Sequence, residues 1–269
     1  MTVDWTALDR GAAALDGTAG LIVIDAEGRT LYERDPDARF PAASVIKIPI
    51  LMTVYADAAD GRLSLDERIP VGEHLPGTGV LGRVTGVTDA TVRDHATLMT
   101  IVSDNTSTNR LMERLGVERI AERMREWGCV RTELRRKMFD FEAANRGFDN
   151  VATPRELAAL LLRLVRGELI DRATSDAVLA VLEGTQDDAL IRRYLPARTR
   201  VAHKTGSLEK VRNDAAVIWA ERPVIAVGLV NGVPDVRPAR SLLGLLGWLA
   251  YGAAGGEAPG LPSEWPEGR

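Results

Sequence analysis

The fold is decided near the carboxyl end by three consecutive stretches: TRVAHKTG (199–206), NDAAVIWA (213–220) and RPVIAVGLVNG (222–232). In each, apolar residues recur with the period of a β-strand, and turn residues bound the stretch. A helical pattern follows in ARSLLGLLGWLAYG (239–252). The sequence therefore predicts three strands and a helix in this part of the chain.

The amino-terminal part supplies two further strands. GLIVID (20–25), a turn at 26–29 and TLYER (30–34) together predict a β-hairpin. A short helix is predicted before this hairpin, with four residues on one face: Trp5, Leu8, Ala12 and Leu15.

Between these parts, residues 44–194 follow a helical pattern, with one clear helix start at Thr153 and Pro154 and a stop at Gly167. Strands on both sides of a helical insertion fit one sheet whose halves meet after the chain closes. We therefore predict an α/β fold of the α+β type: a five-stranded, mostly antiparallel sheet flanked by terminal helices, plus an all-helical lobe. The predicted boundaries are a discontinuous sheet lobe at 1–43 and 195–254, a helical lobe at 44–194 and a flexible tail at 255–269.

Composition excludes several classes of function. The formal net charge is -4 over 269 residues, which offers no broad basic field for nucleic acid. Cys129 is the single cysteine, and the three histidines do not lie at metal-ligand spacing, so we predict no metal and no cofactor. No apolar run reaches the roughly 20 residues that span a bilayer, so we predict no membrane partner. We expect a monomer that binds a small-molecule substrate.

The amino terminus, MTVDWTALDRGAAALDG (1–17), lacks the basic start, apolar core and cleavage site of a secretory signal. From the chain as given, we expect a cytoplasmic protein. If a signal was removed, the expected location is the periplasm or the outside of the cell.

Ser44 and Lys47 form a Ser-x-x-Lys pattern. If a helix begins at Ser44, the three-residue offset puts the hydroxyl and the amine on the same face, one turn apart. The amino terminus of the helix then favours negative charge at Ser44 and disfavours a protonated Lys47. Pro49 would lie five residues into that helix and remove a backbone hydrogen bond. The alternative is a capping serine followed by a solvated lysine.

Two further tripeptides carry polar groups that suit chemistry. SDN (103–105) follows one helical pattern and precedes another, where an N-cap and a turn would use the same residues. KTG (204–206) follows the first late strand, where the alternative is a strand that ends in a turn with an exposed lysine. Each tripeptide alone has a purely structural explanation.

Taken in order, Ser-x-x-Lys, SDN and KTG resemble the motif set of class A β-lactamases and penicillin-binding proteins, the penicillin-recognising serine hydrolases. The similarity extends over roughly residues 20–235, through RFPAASVIKIPIL, DGRLSLDERI, SDNTSTNRLMERLG and KTGSLEKVRNDAAVIWA. The resemblance implies a fold of the β-lactamase and transpeptidase type, with the active site in the cleft between two lobes.

The resemblance also implies four catalytic residues. Ser44 attacks the amide carbonyl and Lys47 removes its proton, since the sequence offers no His-Asp pair and no Gly-x-Ser-x-Gly turn. Burial and the nearby charge of Lys204 would favour the neutral form of Lys47. Ser103 would pass a proton to the leaving nitrogen, and Asn105 would hold the substrate amide and orient Lys47.

The implied substrate-binding residues lie around KTG. The backbone N–H groups of Ser44 and Ser207 would form the oxyanion hole. Arg212 either adds a second positive charge or is a solvated arginine of the hairpin. The substrate-binding set, which would receive a carboxylate, is Lys204, Thr205, Gly206 and Ser207.

The chain departs from the class A pattern at the residue that cleaves the acyl-enzyme. The family uses a glutamate, on a loop after the helical segments, to hold the hydrolytic water. Aligning this loop on residues 132–136 and Asp149 places Met138 at that position, in a loop about two residues shorter than usual. Because methionine cannot activate water, we expect Ser44 to be acylated readily and released slowly.

Asp140 and Glu142 are the candidate deacylation carboxylates in this loop. Each fits equally well as a carboxylate that pairs with Arg135 or Arg136. The sequence therefore predicts a serine hydrolase of β-lactamase type, which opens a cyclic amide through an acyl-serine. The alternatives are an esterase or DD-peptidase with poor β-lactam turnover, and a penicillin-binding sensor without turnover.

Overall fold

The computed structural model describes residues 3–258 and 261–262. Residues 259–260 and 263–269 of the predicted tail therefore lie outside the described residues, as do residues 1–2. The α-helices of the described part are α1 (Thr6–Ala13), α2 (Lys47–Ala59), α3 (Val92–Ile101), α4 (Asn105–Leu115), α5 (Val117–Glu126), α6 (Phe141–Asn145), α7 (Pro154–Arg166), α8 (Arg172–Glu183) and α9 (Val236–Ala253). Its strands are β1 (Thr18–Asp25), β2 (Thr30–Arg34), β3 (Phe40–Pro41), β4 (Arg68–Pro70), β5 (Asp89–Thr91), β6 (Val151–Ala152), β7 (Arg200–Leu208), β8 (Val211–Trp219) and β9 (Pro223–Asn231).

Five strands form one antiparallel sheet in the order β2, β1, β9, β8, β7. The early and late halves meet where β1 lies beside β9, with Ile22 opposite Val227. Because side chains alternate between the two faces of a strand, Ile22 joins the core shared with the helical insertion, whereas Leu21 and Val23 join the core under the terminal helices. The predicted α/β class and five-stranded sheet are confirmed. The predicted helical lobe is not entirely helical, because it also contains the short antiparallel pair β4–β5 and the strand β6.

The terminal helices α1 and α9 pack against each other, and α9 covers one face of β8 and β9, as the sequence predicted. Gly228 of β9 makes the packing close, because Leu243 and Leu246 of α9 fill the space that a side chain there would need. The opposite face of the sheet contacts α7. The lobe boundaries at residues 43/44 and 194/195 stay a prediction.

Two kinds of feature are absent from residues 3–258 and 261–262. No helix in these ranges combines the length and the apolar composition of a membrane span. No three His, Cys, Asp or Glu side chains in them lie close enough together to hold a metal ion.

The helix that carries Lys47 begins later than the Ser-x-x-Lys pattern suggested. A short 3-10 helix spans Ala43–Ile46, and α2 begins at Lys47. The assumed start of an α-helix at Ser44 is therefore wrong, and Pro49 lies in the first turn of α2. An N–H group in a first turn has no carbonyl partner within its own helix, so Pro49 fits there. Ser44 and Lys47 still lie one turn apart.

A buried carboxylate ties α2 to α5. Asp57 is 4% exposed and accepts hydrogen bonds at 2.8 Å from Arg119 Nη2 and from Arg123 Nη2. Burial alone would raise the pKa of Asp57, but the hydrogen bonds from the two arginines outweigh it and lower that pKa. The carboxylate therefore stays ionised and holds the two helices together.

We expect Asp57→Ala to lower the free energy of unfolding by about 3 kcal/mol, since it leaves two largely buried guanidinium groups without the carboxylate between them. Urea unfolding at pH 7 measures this loss. Asp176→Ala is the matched control, because its ion pair with Arg172 is exposed on both sides and is worth less than about 0.5 kcal/mol. Equal losses in the two variants would contradict a stabilising role for the Asp57 cluster.

Candidate active site

Ser44 lies where the chain passes from β3 into α2, within the short 3-10 helix. The preceding residue, Ala43, has a φ of +47°, a left-handed conformation that a non-glycine residue adopts only when its surroundings impose it. Asn213 of β8 supplies part of that constraint: its Nδ2 donates to the carbonyl oxygens of Pro41 at 2.9 Å and Ala42 at 3.1 Å. The turn that presents Ser44 is thus fixed to the sheet.

Lys47 is buried beneath this turn, with 1% of its surface exposed. Its Nζ lies within hydrogen-bonding distance of three oxygens: the carbonyl of Ser103 at 2.8 Å, Oγ of Ser103 at 3.1 Å and Oδ1 of Asn105 at 3.0 Å. Burial, followed by the positive charge of Lys204, lowers the pKa of Lys47 well below 10.5. A lysine that readily loses its proton, one turn from Ser44, suits the removal of a proton from the Ser44 hydroxyl.

Ser103 is held in a conformation that aims its polar atoms at Lys47. Its φ is +55°, again in the left-handed region. The carbonyl oxygen of Ser103 accepts a second hydrogen bond, from Thr78 Oγ1 at 2.8 Å. The neighbouring Asp104 caps α4 by accepting from the Ser107 N–H at 2.8 Å, and it also accepts from the N–H groups of residues 80 and 81 at 2.6 and 2.8 Å. These contacts fix the SDN turn between α3 and α4.

KTG lies on β7, an edge strand of the sheet. Lys204 is 1% exposed, and its Nζ donates to the carbonyl oxygen of Thr205 at 2.9 Å. Burial lowers the pKa of Lys204 to about 8, against the opposing charge of Asp214. A Cβ on Gly206 would lie only 2.9 Å from the backbone nitrogen of Ser44. Glycine at this position therefore lets β7 approach the backbone of Ser44 closely.

The three motifs meet in one cleft of about 390 Å³. Ser103 lines this cleft, and Lys47 lies directly behind it, hydrogen-bonded to Ser103 and to Asn105. The structure therefore brings together all the predicted residues of the three motifs. The predicted residues that line the cleft are Ser44, Ser103, Lys204, Thr205 and Ser207.

Arg212 lies on β8 in the hairpin that follows KTG. Its side chain is partly buried, and its Nη1 donates to the carbonyl oxygens of Leu208 at 2.6 Å and Val211 at 2.7 Å. Arg212 is therefore a fixed part of the hairpin and not a freely solvated arginine. A role in binding a substrate carboxylate stays a prediction.

An ion pair joins the two ends of the loop before α7: Arg136 Nη2 lies 2.7 Å from Asp149 Oδ1. Inside the loop, Asn109 of α4 holds the backbone of Met138, accepting from its N–H at 2.8 Å and donating to its carbonyl at 3.0 Å. Met138 lines a second pocket of about 230 Å³, which Ser44 also lines. The position predicted to lack a glutamate thus faces the same pocket as the predicted nucleophile.

Asp140 and Glu142 lie elsewhere. Neither of them lines either of the two pockets that contain Ser44. Asp140 caps α6 by accepting from the Ala143 N–H at 2.9 Å, and Glu142 is exposed on that helix. The expectation that they pair with Arg135 or Arg136 is wrong.

The reason is that both arginines find nearer carboxylates. Arg135 Nη2 lies 2.7 Å from Glu133 Oε2, and Arg136 is occupied by Asp149. Asp140 is instead used locally, by the first turn of the helix that it begins.

Sequence reasoning overlooked three residues that hold the site together. Asn213 follows KTG in the same hairpin, so its place in the resembling segment was a usable signal. Asp104 stands inside SDN, where the sequence predicts an N-cap as the alternative, and its hydrogen bonds to residues 80 and 81 are the part that the sequence does not indicate. Thr78 comes from the loop between β4 and β5, which carries no recognisable pattern, so nothing in the sequence pointed to it.

A buried lysine one turn from a serine, in a cleft between a helical region and an antiparallel sheet, defines a class of protein that performs lysine-assisted serine chemistry. The sequence model of the Beta-lactamase enzyme family matches residues 5–254. The chain is 33% identical to Beta-lactamase L2 of Stenotrophomonas maltophilia over 226 residues, which are 80% of this chain and 72% of that protein.

Solved structures agree with this match. A beta-lactamase from Sphaerobacter thermophilus superposes with a TM-score of 0.87 at 30% identity, covering 94% of this chain and 98% of its own. A PBP-A variant, solved as its acyl-enzyme complex with penicillin G, superposes with a TM-score of 0.83 at 27% identity, covering 92% and 94%. The chain belongs to the beta-lactamase enzyme family.

Proposed function

We propose that this protein is a serine hydrolase that is acylated at Ser44 by β-lactams and releases the acyl group slowly. The observation that carries the proposal is the set of hydrogen bonds from Lys47 to Ser103 and Asn105 beneath Ser44, which joins two of the motifs at one amine. The third motif completes the cleft through Lys204 and the close approach of Gly206 to Ser44.

In the proposed acylation, Ser44 Oγ forms a bond to the lactam carbonyl carbon and its proton passes to neutral Lys47. The backbone N–H groups of Ser44 and Ser207 stabilise the negative charge on the carbonyl oxygen. The C–N bond of the lactam then breaks, and the leaving nitrogen receives a proton from Lys47 by way of the Ser103 hydroxyl. The product is an ester between Ser44 and the ring-opened substrate.

The substrate carboxylate is proposed to bind at Lys204, whose pKa of about 8 keeps a large share of it positively charged at neutral pH. Thr205, Gly206 and Ser207 lie along the same strand and complete this end of the cleft. A PBP-A variant of the same fold forms an acyl-enzyme with penicillin G, which supports a penicillin as the acylating substrate.

Slow release is proposed because Met138, and no carboxylate free of an ion pair, lines the second pocket beside Ser44. The carboxylate of Asp149 lines that pocket too, but it is engaged by Arg136. Neither Asp140 nor Glu142 reaches the pocket. This observation supports the alternative of a penicillin-binding sensor without turnover, beside the β-lactamase-type hydrolase.

Intact-mass spectrometry during exposure to benzylpenicillin tests the proposal. We expect the mass to increase by the full mass of the antibiotic, since ring opening releases no fragment, and the adduct to persist. Ser44→Ala is the control and gains no mass. An unmodified wild-type protein that also leaves a chromogenic cephalosporin intact would refute acylation at Ser44. Rapid return to the unmodified mass would refute slow release alone.

We further propose that the substrate is a small β-lactam or a related ester or amide, because the cleft that Ser44 lines has a volume of about 390 Å³. The expected monomer stays a prediction. Its expected cytoplasmic location stays a prediction, and so does the alternative of export.

A further inference from the structure

The cleft in front of Ser44 contains two charged side chains of opposite sign. Among the described residues that line it, Lys204 and Asp187 are the charged ones, and the others are neutral. Lys204 is 1% exposed, whereas Asp187 is exposed to solvent. The proposed acylation uses Lys204 and leaves the carboxylate of Asp187 without a role.

The carboxylate of Asp187 has no cationic partner within residues 3–258 and 261–262. Its Oδ1 accepts one hydrogen bond, from the Ala189 N–H at 3.2 Å. The next residue, Asp188, differs in this respect, because its Oδ1 lies 3.1 Å from Arg192 Nε. Asp187 can therefore pair with a positive group of a ligand without giving up an ion pair of the protein.

The segment that carries Asp187 is fixed next to Lys204. Thr185 Oγ1 donates at 2.6 Å to the carbonyl oxygen of His203, the residue before Lys204 on β7. The next N–H along the chain donates at 3.0 Å to the carbonyl oxygen of Ile101, at the end of α3. Asp187 therefore lies two residues from an anchor on the strand that carries Lys204.

Asp187 acts on the positive charges at this end of the cleft. Burial lowers the pKa of Lys204 to about 8, and the negative charges of Asp214 and then of Asp187 oppose that shift. Burial, followed by the charge of Arg240, also lowers the pKa of Arg212, and Asp187 opposes this shift too. The carboxylate of Asp187 therefore lies within electrostatic reach of both Lys204 and Arg212.

The reaction determines which half of the substrate lies beside Asp187. In the proposed acylation, the leaving nitrogen receives a proton through the Ser103 hydroxyl, and the carboxylate next to that nitrogen binds at Lys204. The leaving half therefore occupies the cleft that Asp187 lines. In a cephalosporin, the ring carbon beside the one that bears the carboxylate carries a further substituent. That substituent enters the same end of the cleft.

We propose that Asp187 is a specificity-determining residue that favours substrates whose leaving half carries a positive charge beside the carboxylate. The carboxylate of such a zwitterion pairs with Lys204, and its cation pairs with Asp187. A second negative charge at that place would instead be repelled by Asp187. The inference rests on the proposed acylation of Ser44 and adds the charge of the leaving half to it.

Two cephalosporins with the same thienylacetyl side chain test the proposal. Cephaloridine carries a pyridinium group beside its carboxylate, and cephalothin carries a neutral acetoxy group at the same place. The measurement is the second-order rate of β-lactam ring opening with the protein in excess, followed by ultraviolet absorbance. We expect Asp187→Asn to slow cephaloridine by about fivefold relative to cephalothin, the strength of one exposed ion pair. Because salt screens exposed charges, the effect should shrink to less than about twofold in about 1 M NaCl.

Asp188→Asn is the matched control, because it removes the same charge one residue along the chain. Asp188 lines a different hollow and not the cleft, so the ratio of the two rates should stay at the wild-type value. Asp187→Asn also removes a negative charge that supports the protonated form of Lys204. Both cephalosporins carry a carboxylate, so that effect cancels in the ratio of their rates.

An unchanged ratio in Asp187→Asn, an equal change in Asp188→Asn, or a change that persists at high salt would overturn the role of Asp187. Ring opening of neither cephalosporin, or ring opening at the same rate in Ser44→Ala, would instead overturn the proposed function itself.

Discussion

Replacing Lys47 with methionine is expected to slow the acylation of Ser44 by about a thousandfold or more, the contribution of a general base to such a step. Methionine has nearly the length of lysine and fills the buried site without a nitrogen. The Ser44 hydroxyl would then keep its proton, because Lys47 is the amine that lies one turn away and is hydrogen-bonded to Ser103 and Asn105. The measurement is the second-order rate of benzylpenicillin adduct formation.

Lys210→Met is the matched control, because Lys210 is exposed in the turn between β7 and β8. It removes a positive charge from the same part of the molecule without touching the cleft, and its acylation rate should stay within about twofold of wild type. If Lys47→Met were acylated as fast as Lys210→Met, Lys47 would not be the base.

The same substitution has a consequence for stability that does not depend on activity. The pKa of Lys47 is lowered in the folded protein, by burial and then by Lys204, whereas in the unfolded chain it returns to about 10.4. Between these two values the unfolded state binds one proton more than the folded state, so the free energy of unfolding rises with pH. This rise amounts to at most about 1.4 kcal/mol per pH unit for one group.

Lys47→Met is therefore expected to flatten the increase in stability of the wild type between neutral pH and pH 10. Part of the increase should remain, because Lys204 has a lowered pKa of about 8 and contributes with the same sign. Urea unfolding of both proteins at several pH values measures the two slopes. Parallel slopes would mean that Lys47 is as strongly protonated in the folded protein as in the unfolded chain.

The strands and terminal helices were predictable because each carries its own signal. In β7, β8 and β9 apolar residues recur with the period of a strand and turn residues bound each stretch. The β1–β2 hairpin has a glycine, Gly28, at a φ of +80° where its turn requires one. The same holds for α7, which begins after a capping Thr153 and ends at a left-handed Gly167. Such local patterns survive in the folded protein because packing did not oppose them.

The start of α2 was misjudged for a physical reason. Ser44 precedes an apolar run, as an N-cap would, but the chain makes a 3-10 turn from Ala43 to Ile46 first. That turn depends on hydrogen bonds from Asn213 to Pro41 and Ala42, which are distant in sequence. A tertiary contact of this kind leaves no local pattern.

The candidate site was predictable where motifs carry it and obscure where the loops do. Ser103, Asn105 and Lys204 follow from tripeptides that resemble one family. Thr78 donates to Ser103 from a loop whose sequence has no helical or strand period. Asp140 caps the five-residue helix α6, and so short a helix has no clear pattern in the sequence. The second pocket, which Ser44 and Met138 line, is likewise built from α6 and β7, two elements that meet only in the folded chain.

Replacing Met138 with glutamate is expected to shorten the lifetime of the acyl-enzyme by at least about a hundredfold. The new carboxylate would face the pocket that Ser44 and Asn105 line, where it can accept a proton from a water molecule as that water attacks the ester. The water oxygen would bond to the acyl carbon, the bond from that carbon to Ser44 Oγ would break, and the proton would return to Ser44. The two hydrogen bonds between the Asn109 side chain and the backbone of Met138 do not involve the Met138 side chain, so the loop should keep its conformation.

Met138→Gln separates the base from the mere space for a water molecule, because glutamine has the same shape and can bind water but cannot take up its proton. The measurement is the rate at which the benzylpenicillin adduct of each variant returns to the unmodified mass. The glutamate variant should release the adduct faster as pH rises, since only the ionised carboxylate is a base, and the glutamine variant should show no such dependence. If the glutamate and glutamine variants released the adduct equally fast, the missing base at residue 138 would not limit turnover. The access of water to the acyl group on Ser44 would limit it instead.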